Sequence, residues 1–300
     1  VGEFSVNGWQ RPVSRRALLG WGAGLAGTGM LGVTGVPGRA GALTPTPPPP
    51  LPFVPSYPSQ DGHLAVRTIA RVSRVRLPGV PHVVQTYTYD GRIPGATWEV
   101  RPGDTLQVTV QNSLPKLPPA PVPDIDRPHH WTTTNLHTHG LHVSPSGYAD
   151  NIFTVIDPTQ HFTYVYDIPQ DHPAGLFWYH PHHHGAVCQQ VRAGMAGLIV
   201  VRGDIDEVPE VAAAKEQVMV LQAIELSKDF TLLDPIPYPS KTEAFYPRDQ
   251  IIYTVNGGYQ PTVTMYPGEV QRWRLVNAAE GKYLSLALKG HDSTCWPGTA

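Results

Sequence analysis

Charge is scarce in this chain. Its 22 Lys and Arg and 24 Asp and Glu make up only 15% of 300 residues and leave a net charge of −2. A balance so close to neutral gives no electrostatic footing for nucleic acid or another polyanion, and none is expected as a partner. Cysteine is scarcer still. Cys188 and Cys295 allow one disulfide at most, and neither belongs to a Cys-x-x-Cys pair. That excludes a disulfide-stapled scaffold and a cysteine-rich structural zinc site. Beyond the N-terminal region, no segment approaches the 18 or so apolar residues of a membrane span, so no stable span is expected.

What is abundant is proline (33), glycine (29) and, in one place, histidine. Of 14 histidines, 11 fall between His129 and His184. Two stretches hold paired copies: Asn135-Leu136-His137-Thr138-His139-Gly140 and Trp178-Tyr179-His180-Pro181-His182-His183-His184-Gly185. In a β-strand, residues i and i+2 face the same way, so each His-x-His aims two imidazoles in one direction. Two such strands side by side would bring four imidazoles into one small volume. Neutral imidazole is the commonest protein metal ligand, so a metal site is the expectation.

The rest of the chain predicts an all-β protein. Candidate strands are 64–75, 83–89, 96–100, 105–112, 135–142, 162–168, 175–180 and 197–202, short and punctuated by Pro and Gly. Thr105 to Asn112 alternates polar and apolar residues, as a half-buried strand does. This spacing, without long helices between, argues for β-sandwich domains. An internal repeat points to two of them. Pro102-Gly103-Asp104 leads into a strand ending at Asn112, and Pro267-Gly268-Glu269 into one ending at Asn277. Upstream, Asp90-Gly91 and Asn256-Gly257 stand in matching places. Between the copies, 208–217 reads as a short helix with Pro209 in its first turn.

Five segments follow from this reading. Residues 1–42 form an export signal: paired Arg15 and Arg16, a Gly-rich apolar stretch, then Ala40-Gly41-Ala42 as a cleavage site. It resembles a bacterial twin-arginine signal, which implies a periplasmic or secreted destination. Residues 43–62 are a proline-rich tether, extended and unpacked. Residues 63–205 are a first sandwich domain, 206–217 a linker, and 218–300 a partial second domain. The second copy stops short and the sequence opens on Val1, so a truncated reading frame is expected.

Four imidazoles would suit Zn, Cu, Fe or Ni. A barrel-type zinc hydrolase needs alternating strands and helices, and a cupin site would want a Glu soon after the first pair; neither pattern is present. The two His-x-His motifs do resemble the first two copper motifs of the multicopper oxidases, a family that includes laccases and metallo-oxidases. Gly91 to Gly95, the Pro102-Gly103-Asp104 turn and Ala193 to Gly197 fit that family's first cupredoxin domain, and the likeness runs over roughly 64–288.

The resemblance implies cupredoxin-like Greek-key sandwiches, one complete and a second incomplete. It implies that His137 is a type 2 copper ligand, that His139 and His180 serve one type 3 copper, and that His182 serves the other. Asp150 would feed protons to the oxygen-reduction centre. It further implies oxidation of a phenol, an aromatic amine or a metal ion with dioxygen as acceptor. The family uses eight histidines for its three coppers and this sequence supplies four. It has no His-Cys-His, so the resemblance implies a type 1 copper site in a missing C-terminal part, and these residues alone are not expected to turn over. A non-enzymatic copper-binding or periplasmic structural protein of the same fold is the alternative. A nitrite reductase would need its own blue-copper Cys beside a His, and a two-domain laccase would need a finished second domain.

The remaining histidines carry plainer expectations. His142 is a supporting hydrogen-bond donor or a surface residue, and His129 and His130 lie at the surface or a substrate rim. His183 faces solvent, and His184 reaches towards the ligands without binding metal. Trp178 and Tyr179 are expected in the core, and Cys188 as a small buried hydrophobe.

Overall fold

The structure is a computed structural model, and it describes residues 4–8, 47–117, 129–232 and 250–288. The expected export signal (but for 4–8), Cys295 and the C-terminal tail lie outside the described residues. Fifteen strands are described: β1 (Phe4–Gly8), β2 (Ser56–Pro58), β3 (His63–Arg76), β4 (Val83–Tyr89), β5 (Thr97–Val100), β6 (Thr105–Ser113), β7 (His137–His139), β8 (His161–Asp167), β9 (Gly175–His180), β10 (Gly197–Val201), β11 (Lys215–Leu226), β12 (Gln250–Val255), β13 (Gly258–Tyr259), β14 (Gln271–Asn277) and β15 (Leu284–Leu288). Two short α-helices join them, α1 (Val187–Ala193) and α2 (Pro209–Ala213). Among the described residues no helix is long and apolar enough to cross a membrane. β1 and β15 form an antiparallel pair in a small unit of their own.

The main unit opens with two sheets, ordered β4-β3-β6-β8 and β2-β5-β10-β9-β7. Along β6, buried and half-buried residues alternate strictly, with Leu106, Val108 and Val110 inward. Their apolar face meets Trp98, Val100, Phe177, Tyr179, Ile199 and Val201 of the other sheet in one core. Each large side chain buried there contributes about 2–3 kcal/mol. β10 is buried along its whole length, because its other face (Leu198) packs on Val220 and Val276 of a third sheet, β13-β12-β11-β14. The expected all-β sandwich architecture is therefore what the chain forms.

The sequence repeat is a repeat of topology. β3 pairs antiparallel with β4 and parallel with β6; β11 pairs antiparallel with β12 and parallel with β14. After β4, Asp90 and Gly91 adopt φ of +55° and +79°; after β12, Asn256 and Gly257 adopt +53° and +77°. Two successive left-handed residues make the tight hairpin turn that Asp-Gly and Asn-Gly favour. In the matching acidic turns, Asp104 Oδ2 accepts the Arg101 N–H at 2.7 Å and Glu269 Oε2 accepts the Tyr266 N–H at 2.9 Å.

Three expectations change. The strand forecast for 135–142 shrinks to His137–His139, because Gly140 turns left-handed at φ +91°. The helix forecast for 208–217 stops at Ala213, and Lys215 already belongs to β11. The unpacked tether is extended but hydrogen-bonded where it is described: the Leu51 N–H donates to Thr262 O, the Thr262 N–H to Pro49 O, and β2 lies parallel to β5. Proline lacks an N–H, yet its carbonyl and its non-proline neighbours can still fill a sheet edge.

Candidate metal centre

β7 and β9 are antiparallel neighbours, with His137 opposite His180 and His139 opposite Trp178. This register places both strand-borne histidines of β7 beside His180 on one face. One ring nitrogen each of His137, His139 and His180 lies within 4.8 Å of the others, a group able to hold a metal ion. His182 follows beyond the end of β9. Its ring centre lies 5.0 Å from that of His137 and 5.7 Å from that of His180. All four histidines singled out in the sequence therefore converge.

Hydrogen bonding decides which nitrogens are available. His137 Nδ1 lies 2.8 Å from Asp150 Oδ2, and Asp150 Oδ1 accepts the Thr138 N–H at 2.8 Å. The carboxylate can only accept, so Nδ1 carries the proton and Nε2 presents its lone pair. His180 Nδ1 lies 2.9 Å from Pro181 O, so it too donates, and Nε2 faces inward. That Nε2 lies 3.3 Å from His139 Nδ1. Asp150 thus anchors both the ring and the backbone of β7, and its side chain is only 11% exposed.

Burial favours the neutral ring in His139, His180 and His182. His180 is the most enclosed; burial first, then the His137, His139 and His182 rings, bring its pKa down to about 3 against the opposing bond to Pro181 O. His139 and His182 are lowered as well, by burial first and then by His137. Neutral imidazole is the form that binds a metal.

Sequence reasoning missed several supports. Asn135 is fully buried; its Oδ1 accepts the His182 N–H at 2.6 Å and its Nδ2 donates to Ile152 O at 2.7 Å. The one available signal was an amide next to the first motif. Gln190, on α1, donates to Trp131 O and Thr133 O and accepts from Thr134 Oγ1, fixing the loop that leads into β7. Helix α1 itself was not forecast; it ends at Gly194, left-handed at φ +118°, a common helix stop. Trp178 is no mere core residue. It stacks on His180 at 4.2 Å and on His139 at 4.9 Å, as its position two residues before His180 requires. Tyr179 is core, stacked on Trp98 at 3.7 Å with its hydroxyl donating to Ala96 O.

Other histidines depart from expectation. His183 is half-buried rather than solvent-facing, because β9 ends at His180 and strand alternation no longer governs it. Burial, then His130 and His129, lower its pKa to about 4. His184 is exposed and lies beside His129, ring centres 5.4 Å apart. His142 is exposed, and its backbone N–H donates to Nε2 of the buried His172, which no reading singled out. Cys188 is partly buried against Arg192 and Glu280; burial leads in raising its thiol pKa to about 12, so it is no ready thiolate ligand.

Residues 129–205, which hold all four histidines and Asp150, match the family model described as multicopper oxidase. The chain is 26% identical over 210 residues to the multicopper oxidase mco of Staphylococcus aureus, covering 69% of this chain and 41% of that protein. It is 25% identical over 217 residues to laccase-1 of Thanatephorus cucumeris, covering 68% and 35%. The crystal structure of a multi-copper oxidase from Pseudomonas thermotolerans matches with a TM-score of 0.54 and 26% identity, over 72% of this chain and 47% of that one. The chain thus spans about two fifths of the length of the curated relatives it matches, or less. The sandwiches are those of the cupredoxin-like domains expected from the resemblance, and over part of its length the chain is similar to multicopper oxidases.

Proposed function

We propose that His137, His139, His180 and His182 provide half the ligands of a trinuclear copper centre in an exported, copper-dependent oxidase. The observation that carries this reading is the approach of His139 Nδ1 and His180 Nε2 to 3.3 Å. Two nitrogens sharing one tetrahedral metal, each about 2.0 Å from it, stand about 3.3 Å apart. The donor set fits copper in other respects too: burial favours the neutral form of His139, His180 and His182, and Nδ1 of His137 and of His180 is already spent on an acceptor.

In this reading His139 and His180 serve one type 3 copper, His182 the other, and His137 the type 2 copper. Bound copper would supply the one-electron chemistry that couples a phenol, an aromatic amine or a metal ion to dioxygen. Four electrons and four protons convert one dioxygen to two waters. Asp150 holds His137 in one tautomer and stands where it can hand on protons. Trp178, stacked over two ligand rings, keeps them from rotating and shields them from water on that side. The paired-arginine segment supports export of the folded chain to the periplasm or beyond.

The test has two parts. Copper per chain after gel filtration, with the nitrogen hyperfine pattern of its Cu(II) resonance, is to be compared between wild type and H137Q/H180Q. Less copper per chain and an altered nitrogen pattern are expected in the variant; unchanged copper content and spectrum refute the ligand assignment. Oxygen uptake by the copper-loaded gene product is then measured with a phenol, an aromatic amine and ferrous ion. No uptake with any of them refutes the oxidase reading.

A further inference from the structure

Four histidines that the proposed copper centre does not use gather at the same strand exit. His129 and His130 lie in the loop ahead of Trp131, and His183 and His184 in the turn after β9. The backbone ties the two segments together, since the His129 N–H donates to Gly185 O at 3.0 Å. The rings follow one another in the order His183, His130, His129, His184. Their successive centres are 6.3, 4.8 and 5.4 Å apart, a more open row than the candidate copper cluster, where ring centres lie 5.0 to 5.7 Å apart.

His129 Nδ1 and His130 Nδ1 face each other at 2.6 Å. Two lone pairs would repel at that distance, so one proton lies between them. Tetrahedral ligands on a common metal at about 2.0 Å stand about 3.3 Å apart, so an opening of roughly 0.7 Å exchanges that proton for a metal ion. The turn is shaped to hold the rings. Gly185 adopts φ +84°, and a Cβ there would meet the His129 ring at 2.7 Å. His130 itself adopts φ +50°, a left-handed backbone uncommon for a side-chain-bearing residue. His130 and His184 are exposed, which leaves the group open to solvent.

We propose that His129, His130, His183 and His184 form a second metal-binding site, for a divalent cation of the imidazole-preferring class such as Cu2+ or Zn2+, with a ligand set separate from His137, His139, His180 and His182. The site does not depend on the oxidase reading.

Zinc is the probe, because it is redox-silent. Metal-free chain is titrated with Zn2+ by calorimetry at about pH 7.5 in three forms: wild type, H130N/H184Q and H137Q/H180Q. Asn tolerates the left-handed backbone at 130, and both replaced positions in H130N/H184Q are exposed, so folding is retained and far-ultraviolet circular dichroism verifies it. H137Q/H180Q is expected to keep one zinc equivalent that H130N/H184Q binds at least tenfold more weakly, while H130N/H184Q keeps the zinc held by the other set. Three results overturn the proposal: unchanged affinities in H130N/H184Q, absence of that equivalent from H137Q/H180Q, or wild type that binds zinc only through the other set. If H137Q/H180Q binds like wild type, the copper assignment fails while H130N/H184Q still decides the second site.

Discussion

Stripped of metal, the protein should lose stability in acid through His180, well before its carboxylates titrate. His180 is 5% exposed and its pKa falls from the ordinary 6.5 to about 3. The native state therefore favours the neutral ring, while the unfolded chain takes up a proton from about pH 6.5 downward. Between those two pKa values the unfolded state binds more protons, so stability rises with pH and is lost as pH falls. Each unit is about 1.4 kcal/mol. The fall from pH 6.5 to 5 therefore costs about 2 kcal/mol through this one group, and the full window about 5 kcal/mol. His139, His182 and His183 are lowered too, and their losses have the same sign. The assay is urea unfolding of chelator-treated protein at several pH values between about 7.5 and 5, for wild type and H180Q. H180Q removes the titrating group and should flatten the curve by about 2 kcal/mol across that range. Saturating copper should stabilise wild type by about 3 kcal/mol at a hundredfold excess over its dissociation constant, and that gain should fade with acid as protons compete for the rings. Curves for wild type and H180Q that fall in parallel would show that His180 is not held neutral by burial, and the electrostatic account of the cluster would fail.

N135A leaves the His182 N–H and Ile152 O without their partner inside the fold. Each such loss costs about 1–3 kcal/mol, so urea unfolding should show a drop of about 2–6 kcal/mol, and competition with a chelator should show weaker copper binding. D150N places an amide where His137 and Thr138 both need an acceptor. Supporting partners of this kind are worth about 10–100-fold in metal affinity, and a fall in that range is expected with little change in far-ultraviolet circular dichroism. G194A forces a side chain into φ +118° with its Cβ 2.7 Å from Ile93 Cδ1; a left-handed residue costs about 1–2 kcal/mol before any clash, and a thermal melt should register at least that loss.

The histidine cluster was legible because its two motifs are local and strand periodicity is strict. His137 and His139, or Trp178 and His180, need only an extended backbone to share a face. The repeat was legible for a similar reason: Asp90-Gly91 and Asn256-Gly257 demand the same turn wherever they occur. Helix α1 was hidden because its buried polar residues, Gln189, Gln190 and Arg192, show no apolar stripe. They are buried through hydrogen bonds and ion pairs, such as Arg192 with Glu225 at 3.4 Å, and a polar residue gives no sequence sign that its partner lies 33 positions on. Asn135 and Gln190 were missed likewise, since each acts through backbone groups of other segments.

His183 failed as a forecast for a reason that bears on the whole site. Alternation holds only while the chain stays paired, and β9 stops at His180. Pro181 cannot donate to a neighbouring strand, so the ladder ends where the ligands begin to leave it. From there the Asn135 side chain holds His182 toward the first cluster through its backbone N–H. Gly185, with its positive φ, brings His183 and His184 against His129 and His130. One run of five residues thus serves two histidine groups, because a strand end, a proline and a glycine turn it from a one-faced ribbon into a two-sided corner.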